Sequence, residues 1–296
     1  MVQIGRLLTS MVTPFNAEGE VNYVKAAELA RGLVKSGSDG VVVAGTTGEA
    51  PTLTREEQTR LFKEVRDAIE TRYTVVAGTG SNSTDEAITY TQDAEGAGAD
   101  AVLLVAPYYN KPAQSGLYSH FKAIAENTSL PCILYNVPSR TSVNLSAQTT
   151  IRLSELPNII GIKESSGNFE QSATIIEEAR DGFVVWSGND ADIFPIMCMG
   201  GYGAIVVASH LVGRQFKNMM QMLLDGSVTD AAAEHRRLLP IMTGIYDITN
   251  PMPIRYLLNH AGFSVGRPRL PLTDPDPENA AKLDQLISKY QIDLKL

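Results

Sequence analysis

A lysine at the end of an apolar run is the first residue of this sequence that could do chemistry. The run Ile159–Ile162 leads directly into Lys163, although lysine is one of the side chains least often buried. A lysine amine attacks a carbonyl carbon only when it is neutral, and an apolar strand interior disfavours its charged form. The attack gives a carbinolamine and then a Schiff base. The sequence therefore predicts Lys163 as a nucleophile.

Hydroxyl groups follow other apolar runs at comparable positions. Tyr135 ends "CILYN", and Thr46 and Thr47 follow "GVVVAG". Hydroxyls close to a Schiff-base nitrogen can carry the protons that its formation requires. The backbone N–H groups of Thr46, Thr47 and Gly48 could hold a substrate carboxylate. The guanidinium of Arg140 could bind a second carboxylate through two hydrogen bonds. The pattern predicts amine catalysis on a carbonyl compound.

Each of these residues also has a purely structural interpretation. Lys163 could pair with Glu164 or lie at the edge of the fold. Tyr135 could cap the core with its ring, and Arg140 could form a surface ion pair of little consequence. The segment "GTTGEAP" could be only a tight turn. The functional interpretation is favoured because all of these residues stand at the ends of successive apolar runs.

The residue combinations that other common enzyme chemistries require are missing from the ends of these runs. The ends of the runs carry no Cys–His pair and no Ser–His–Asp trio, and no group of carboxylates or histidines suits a metal ion. We therefore predict neither a metal nor another cofactor. A phosphate-sugar enzyme would need a glycine-rich phosphate loop, for which "SGND" and "MGGYGA" are weak candidates without a basic side chain. A catalytically inactive binding protein is the remaining alternative.

Eight short runs rich in β-branched residues recur along the chain. They are "RLLTSMVTP", "GVVVAGTTGE", "YTVVAGTGS", "AVLLVAPYYN", "CILYNVPSR", "IIGIKESSG", "FVVWSGND" and "GAIVVASHL". Most are almost continuously apolar, which is typical of parallel strands covered on both faces. Eight strand–helix units predict an α/β fold of the TIM (β/α)8 barrel class, whose strands end at one mouth. A doubly wound open sheet is the alternative, but "TSMVTPFNAEGE" is not the nucleotide loop that it would need.

Helix-like stretches separate these runs. Thr54 and Glu57 are spaced as a capping box at the start of one helix. Ser83 and Glu86 in "STDEAITYTQDAEGAGA" have the same spacing. After the eighth run, "DAAAEHRRLLPIMTGIYD" and "PENAAKLDQLISKY" are more helix than a barrel needs for closure. We predict a catalytic barrel domain at 1–224 and a C-terminal helical extension at 225–296.

Composition limits the partners and the location. The chain of 296 residues is 44% hydrophobic and carries a formal net charge of −8. This charge argues against nucleic acid, because a phosphate backbone recruits basic patches. No apolar run approaches the roughly 20 residues of a membrane span, and "MVQIGRLLTSMVTPF" does not resemble a signal peptide, so we predict a cytoplasmic protein with no membrane partner. Cys132 and Cys198 lie in apolar surroundings and are predicted to be buried free thiols.

Four segments resemble the signatures of the dihydrodipicolinate synthase family, which belongs with neuraminate lyase to the pyruvate-dependent class I aldolases. They are "GTTGEAPTLTREE", "APYYNKP", "YNVPSRT" and "IIGIKESSGN". The resemblance extends over nearly the whole chain, from "TSMVTPF" to "PMPIRYLLNHAG". It implies condensation of pyruvate with L-aspartate 4-semialdehyde to 4-hydroxy-tetrahydrodipicolinate, at the entry to diaminopimelate and lysine. The alternative is a related lyase that acts on a sugar acid.

The resemblance implies roles for eight residues. The catalytic residues would be Lys163, Tyr135, Thr46 and Tyr109, and the substrate-binding residues would be Thr47, Arg140, Ile205 and Gly188. Lys163 would form the Schiff base with pyruvate, and Tyr135 would donate and accept protons beside it. Tyr109, inserted from a neighbouring subunit, would complete a hydroxyl relay. Arg140 would hold the carboxylate of the aldehyde.

The resemblance also implies an assembly and a regulatory site. Members of the family are usually tetramers built from two tight dimers, which implies a homotetramer here. Asn82, Glu86 and Tyr108 match part of the family's pocket for inhibitory lysine. Arg55 and Gln58 stand where inhibited members often carry histidines. Feedback inhibition by lysine is therefore left open, and the three matching residues could equally form a helix start and an interface ring.

Overall fold

A closed barrel of eight parallel strands forms the centre of the fold. In the computed structural model, which describes residues 4–295, the strands are hydrogen-bonded in chain order and the last pairs with the first. They are β1 (Leu7–Ser10), β2 (Gly40–Val43), β3 (Thr74–Gly78), β4 (Ala101–Val105), β5 (Cys132–Asn136), β6 (Ile159–Glu164), β7 (Val184–Ser187) and β8 (Gly203–Val206). Each strand lies within one of the eight predicted runs. The predicted TIM (β/α)8 barrel is confirmed.

Helices follow the strands, and the longer ones cover the outer surface of the barrel. They are α1 (Tyr23–Lys35), α2 (Arg55–Ala68), α3 (Thr84–Gly96), α4 (Gln114–Ala125), α5 (Pro138–Thr141), α6 (Ala147–Ser154), α7 (Phe169–Glu178), α8 (Ile193–Cys198) and α9 (Ser209–Leu224). Each longer helix turns an apolar face to the strands, as Leu61, Phe62 and Val65 do in α2. This arrangement buries both faces of every strand, which explains the nearly continuous apolar runs.

The two predicted capping boxes differ in the structure. In α2 the Thr54 hydroxyl accepts the N–H of Glu57 at 3.2 Å, and the Glu57 carboxylate accepts the N–H of Thr54 at 2.9 Å. In α3 the Ser83 hydroxyl accepts the N–H of Glu86 at 3.4 Å. The Glu86 carboxylate, however, accepts the hydroxyl of Ser81 at 2.8 Å. The second box is therefore only half formed, because the Glu86 carboxylate binds the Ser81 hydroxyl instead of the backbone N–H of Ser83.

Side chains that point into the barrel form a second, smaller core. Leu8, Val42, Ile133 and Ile205 are fully buried there, and Trp186 is 1% exposed. The indole of Trp186 donates to the carbonyl of Gly5 at 3.1 Å, so its one polar atom is satisfied. The barrel interior is thus packed rather than open. This packing leaves the carboxyl ends of the strands as the place for chemistry.

Three helices follow the barrel: α10 (Val228–Gly244), α11 (Met252–His260) and α12 (Pro277–Ile287). Helix α12 packs on α10 and α11 and buries Leu283 and Ile287. The predicted boundary between 1–224 and 225–296 falls in the turn after α9, and this division of the chain stays a prediction. Its outermost residues, 1–3 and 296, lie outside the described residues.

The prediction of two buried thiols is wrong for one cysteine. Cys132 is buried in β5, and burial raises the pKa of its thiol to about 12. Cys198 is exposed, because it ends the short helix α8 at the surface. Between residues 4 and 295, no helix could cross a membrane. The same residues contain no cluster of three or more His, Cys, Asp or Glu side chains that could hold a metal ion.

Candidate active site

The predicted nucleophile lies inside the barrel, at the carboxyl end of β6. Lys163 is only 5% exposed. It is in register with Tyr135 on the neighbouring strand β5, and its Nζ lies 4.3 Å from the centroid of the tyrosine ring. An aromatic face attracts a cation at this distance. The structure thus brings together the two residues predicted to form and protonate a Schiff base.

Two predicted substrate-binding residues lie near the Lys163–Tyr135 pair. A Cβ added to Gly188, which directly follows β7, would lie 2.9 Å from Lys163 Cγ and 3.0 Å from Cε. Only glycine therefore leaves room for the lysine stem. Ile205 of β8 is fully buried in the interior core that also contains Tyr135. Gly188 therefore lies against the lysine stem, and Ile205 lies in the same interior core as Tyr135, the neighbour of the lysine.

The loop after β2 carries Thr46, Thr47 and Gly48. Thr46 is half-buried and Thr47 is buried. The carbonyl of Gly48 accepts the hydroxyl of Thr13 at 2.6 Å, which ties the loop to the segment after β1. Within the described residues, the three backbone N–H groups donate to no other group. Unpaired amides in a loop are suited to an anion.

A segment from the C-terminal part of the chain completes the mouth, and sequence reasoning missed it. Asn250 is buried and donates from Nδ2 to the hydroxyl of Thr47 at 3.0 Å. Its backbone carbonyl accepts Nη2 of Arg140 at 3.1 Å, while the arginine side chain is otherwise exposed. Asn250 Oδ1 is buried and has no partner in residues 4–295. The only sequence signal was that the family resemblance extends through "PMPIRYLLNHAG".

A fully buried carboxylate, Asp190, lies after β7. It accepts the backbone N–H of Ala208 at 2.6 Å and the hydroxyl of Tyr246 at 2.6 Å. Burial raises the pKa of Asp190, whereas these donors and the charge of Lys163 oppose the rise. Burial of its hydroxyl, followed by the charge of Asp190, raises the pKa of Tyr246 well above its ordinary value, although the residue as a whole is 39% exposed. The barrel thus places a second buried titratable group near its lysine.

Glu164, next to the lysine, supports the site instead of facing it. Its two carboxylate oxygens each accept Asn136 Nδ2 at 3.1 Å, and they also accept Ser166 N–H at 2.7 Å and Gln171 Nε2 at 3.1 Å. Burial raises the pKa of Glu164, and these hydrogen bonds oppose the rise. The network joins the ends of β5 and β6. It holds the inward-facing residues of both strands in register.

The sequence of the chain matches one protein family over almost its whole length. Residues 3–290 match the model of the dihydrodipicolinate synthetase family. The chain belongs to this family. A 4-hydroxy-tetrahydrodipicolinate synthase of Dehalococcoides mccartyi is 54% identical over 296 residues, which are 100% of both chains. A protein of the same name from Listeria innocua is 49% identical over 288 residues, covering 97% of this chain and 98% of that one.

Solved structures of family members share both the barrel and the C-terminal helices. A dihydrodipicolinate synthase of Bacillus anthracis superposes with a TM-score of 0.96 at 41% identity, covering 98% of this chain and 99% of that chain. The enzyme of Cyanidioschyzon merolae, solved with lysine bound, gives a TM-score of 0.95 at 42% identity, covering 97% and 98%. The family likeness therefore includes the segment that completes the mouth.

One predicted catalytic residue of this family member stands apart from the rest. Tyr109 is 90% exposed, and in the described part of the chain no hydrogen bond joins it to Thr46 or Tyr135. Its backbone is left-handed, with φ at 72°, and the N–H of Asn110 donates to the carbonyl of Tyr108 across it at 2.9 Å. Such backbone strain clusters at functional sites. A single chain therefore does not assemble the predicted hydroxyl relay.

The residues that match the family's lysine pocket lie close together. The carbonyl of Asn82 accepts Nδ2 of Asn110 at 2.8 Å, so the loops after β3 and β4 are joined. Burial raises the pKa of Tyr90, and the charges of Glu86 and Tyr108 raise it further. Both of these residues therefore lie near the Tyr90 hydroxyl. These contacts place Asn82, Glu86 and Tyr108 around the joined loops after β3 and β4.

The two residues that depart from the inhibited members have other partners. Arg55 forms a bidentate pair with Asp93, in which Nη2 lies 2.8 Å from Oδ1. Gln58 is buried and donates to the carbonyl of Ala50 at 3.2 Å. Both side chains are thus engaged within their own chain.

Proposed function

We propose that this protein condenses pyruvate with L-aspartate 4-semialdehyde to 4-hydroxy-tetrahydrodipicolinate, in the diaminopimelate route to lysine. The observation that carries the proposal is the buried amine of Lys163 against the ring of Tyr135, in a chain 54% identical over its full length to a protein named for this reaction. The alternative function, cleavage of a sugar acid, gains no support from the relatives named above.

The reaction begins at Lys163. Its neutral amine attacks C2 of pyruvate, and the carbinolamine takes up a proton and loses water to give an iminium ion. Loss of a proton from C3 gives an enamine, whose carbon attacks the aldehyde. The amine of the product then displaces the lysine from C2 and closes the ring. Tyr135 stands beside the nitrogen and exchanges the protons of these steps.

Three groups of residues would hold the substrates. The unpaired amides of Thr46, Thr47 and Gly48 receive the pyruvate carboxylate, because an anion can take all three donors. The packed surface at Gly188 and Ile205 confines the three-carbon chain beside the lysine. Arg140 binds the carboxylate of the semialdehyde. Its contact with the carbonyl of Asn250 uses one of five guanidinium donors.

The relay of hydroxyls would be completed by a second copy of the chain. Tyr109 is exposed on a strained turn, and burying an aromatic ring at an interface is favourable. We place this ring in the mouth of a neighbouring subunit, within a homotetramer built as a dimer of dimers. The cytoplasmic location predicted from the sequence is part of the same proposal.

Lysine would be the ligand of a separate regulatory site. Asn82, Glu86 and Tyr108 lie together, and Glu86 offers a carboxylate to an amine. The engaged side chains of Arg55 and Gln58 argue for weaker inhibition than in a member with histidines there. Titration of the activity with lysine, compared between the wild type and Glu86→Gln, tests this part of the proposal.

Trapping of the intermediate tests the proposed reaction. Reduction with borohydride in the presence of pyruvate should leave a pyruvate-derived adduct on Lys163, located by peptide mapping, and Lys163→Ala should leave none. Arg140→Ala should still form the adduct but lose condensation, because Arg140 contacts only the aldehyde. An unmodified wild-type protein would refute the Schiff-base mechanism. Turnover of a sugar aldehyde in preference to aspartate semialdehyde would refute the substrate.

A further inference from the structure

The amine of Lys163 has a neighbour that the proposed function does not use. Ser10, the last residue of β1, places its hydroxyl oxygen 3.3 Å from Lys163 Nζ. Ser10 is 3% exposed and Lys163 is 5% exposed. Strands β1 and β6 are three strands apart around the barrel, so the serine approaches the amine from across the interior. Within residues 4–295 it is the only hydrogen-bond partner of this nitrogen.

The end of β1 is held firmly in place. The preceding residue, Thr9, points to the opposite face of the strand. There its hydroxyl bonds to those of Ser38 at 2.6 Å and Ser209 at 2.7 Å. The N–H of Met11 donates to the carbonyl of Val42 at 2.9 Å. Residues on both sides of Ser10 are thus fixed, and its hydroxyl is preorganised next to the amine.

The iminium ion that forms on Lys163 has an N–H group, which needs a hydrogen-bond acceptor at this position. When the carbinolamine loses water, the nitrogen keeps one N–H bond and gains a positive charge. A buried N–H without an acceptor is unfavourable, and hydrogen bonds from charged donors are stronger than neutral ones. The ring of Tyr135, 4.3 Å away, offers the cation its π face but no lone pair in the direction of an N–H bond.

We propose that Ser10 is a further catalytic residue, whose hydroxyl oxygen accepts the N–H of the iminium ion on Lys163. This inference rests on the proposed function, since it assigns the group that stabilises the intermediate of that reaction. Ser10 neither gains nor loses a proton overall. Its hydrogen bond favours the iminium over the free amine and pyruvate.

A second buried serine supplies the matched control. Ser165 Oγ is buried and has no partner in the described residues. It lies 2.0 Å from the point where a Cβ on Gly188 would stand, and Lys163 Cγ lies 2.9 Å from the same point. Ser165 is therefore close to the lysine stem without bonding to its nitrogen. Removing its hydroxyl changes the polarity of the site but not the contact with Nζ.

The test compares Ser10→Ala with Ser165→Ala. Each protein is titrated with pyruvate and reduced with borohydride, and the trapped fraction is read from the intact mass. Ser10→Ala should need roughly 3- to 10-fold more pyruvate for half of the maximal adduct, as expected for one lost hydrogen bond. Ser165→Ala should titrate like the wild type. The KM for the aldehyde should stay within about twofold in both variants, because neither residue contacts the second substrate.

The possible outcomes are distinct. An unchanged pyruvate titration in Ser10→Ala would overturn the inference, as would an equal shift in Ser165→Ala. If the alanine variant does not fold, Ser10→Cys gives the same test, because sulfur is a weak acceptor of similar size. A wild-type protein that forms no adduct would overturn the proposed function itself. An adduct that forms normally in all variants would overturn only the role of Ser10.

Discussion

Replacing Gly188 by alanine tests how closely the barrel fits the stem of its lysine. The new Cβ would lie 2.0 Å from Ser165 Oγ, 2.9 Å from Lys163 Cγ and 3.0 Å from Lys163 Cε. The serine hydroxyl has no hydrogen bond to lose and can rotate away. The lysine stem cannot do so without moving its amine, because it leaves a strand fixed on both sides.

The size of the effect follows from these distances. Carbon atoms prefer separations of roughly 3.5–4.0 Å, so the lysine stem must move by about 0.5–1 Å. Overpacking of this kind destabilises a protein by about 1–3 kcal/mol. A misplacement of about 1 Å can reduce a rate about 100-fold. We therefore expect Gly188→Ala to fold and to lose roughly 10- to 100-fold in kcat/KM.

The assay combines steady-state rates with trapping of the pyruvate adduct by borohydride. Gly96→Ala, at the end of α3, is the matched control, because a Cβ there meets no atom within 4 Å. The double variant Gly188→Ala/Ser165→Gly removes the shortest contact but keeps those with the lysine. Wild-type activity in Gly188→Ala would refute the reasoning. Full recovery in the double variant would assign the effect to the serine.

Three further predictions concern stability. Tyr246→Phe leaves Asp190 with one donor fewer and should lower the free energy of unfolding in urea by about 1–2 kcal/mol; an unchanged value would contradict the hydrogen bond at 2.6 Å. Glu49→Gln leaves the buried guanidinium of Arg255 without its counter-charge and should cost about 3–5 kcal/mol in the same assay. Burial lowers the pKa of His210 from 6.5 to about 4. The unfolded chain therefore takes up the proton first below pH 6.5, and stability should fall by about 2 kcal/mol at pH 5, less so in His210→Gln.

The barrel could be predicted because its signal is local and repeated. Each strand is a short β-branched run, and burial on both faces makes that run almost continuously apolar. The ends of the strands were harder to place. "RLLTSMVTP" contains nine residues, yet β1 covers only Leu7–Ser10. The later residues of such runs, Met11 and Val12 among them, are buried below the loops that form the mouth. Apolar character alone does not separate them from the strand.

The placement of Lys163 and Tyr135 at neighbouring strand ends could be predicted, and their chemical roles stay a prediction, whereas the contacts across the mouth could not be predicted. Lys163 and Tyr135 follow from their positions in neighbouring runs. Ser10 reaches Lys163 over a separation of 153 residues, and Asn250 reaches Thr47 over 203. Neither pair has a spacing that a local pattern can reveal. Cys198 was misjudged for a similar reason, since Ile196 and Met197 beside it are buried while Cys198 itself is exposed.

The C-terminal extension is part of the candidate site and does more than brace the barrel. Arg255 of α11 is 1% exposed, and its guanidinium bonds to the carboxylate of Glu49 and to the carbonyl of Thr13 at 2.7 Å. Glu49 ends the loop of Thr46–Gly48, and its own backbone is left-handed at φ 58°. A carboxylate held by a buried cation keeps that loop in its strained shape. Asn250 adds a second contact to the same loop. Because the amides of residues 46–48 belong to this loop, the helices after residue 224 help to fix the shape of the proposed anion-binding mouth.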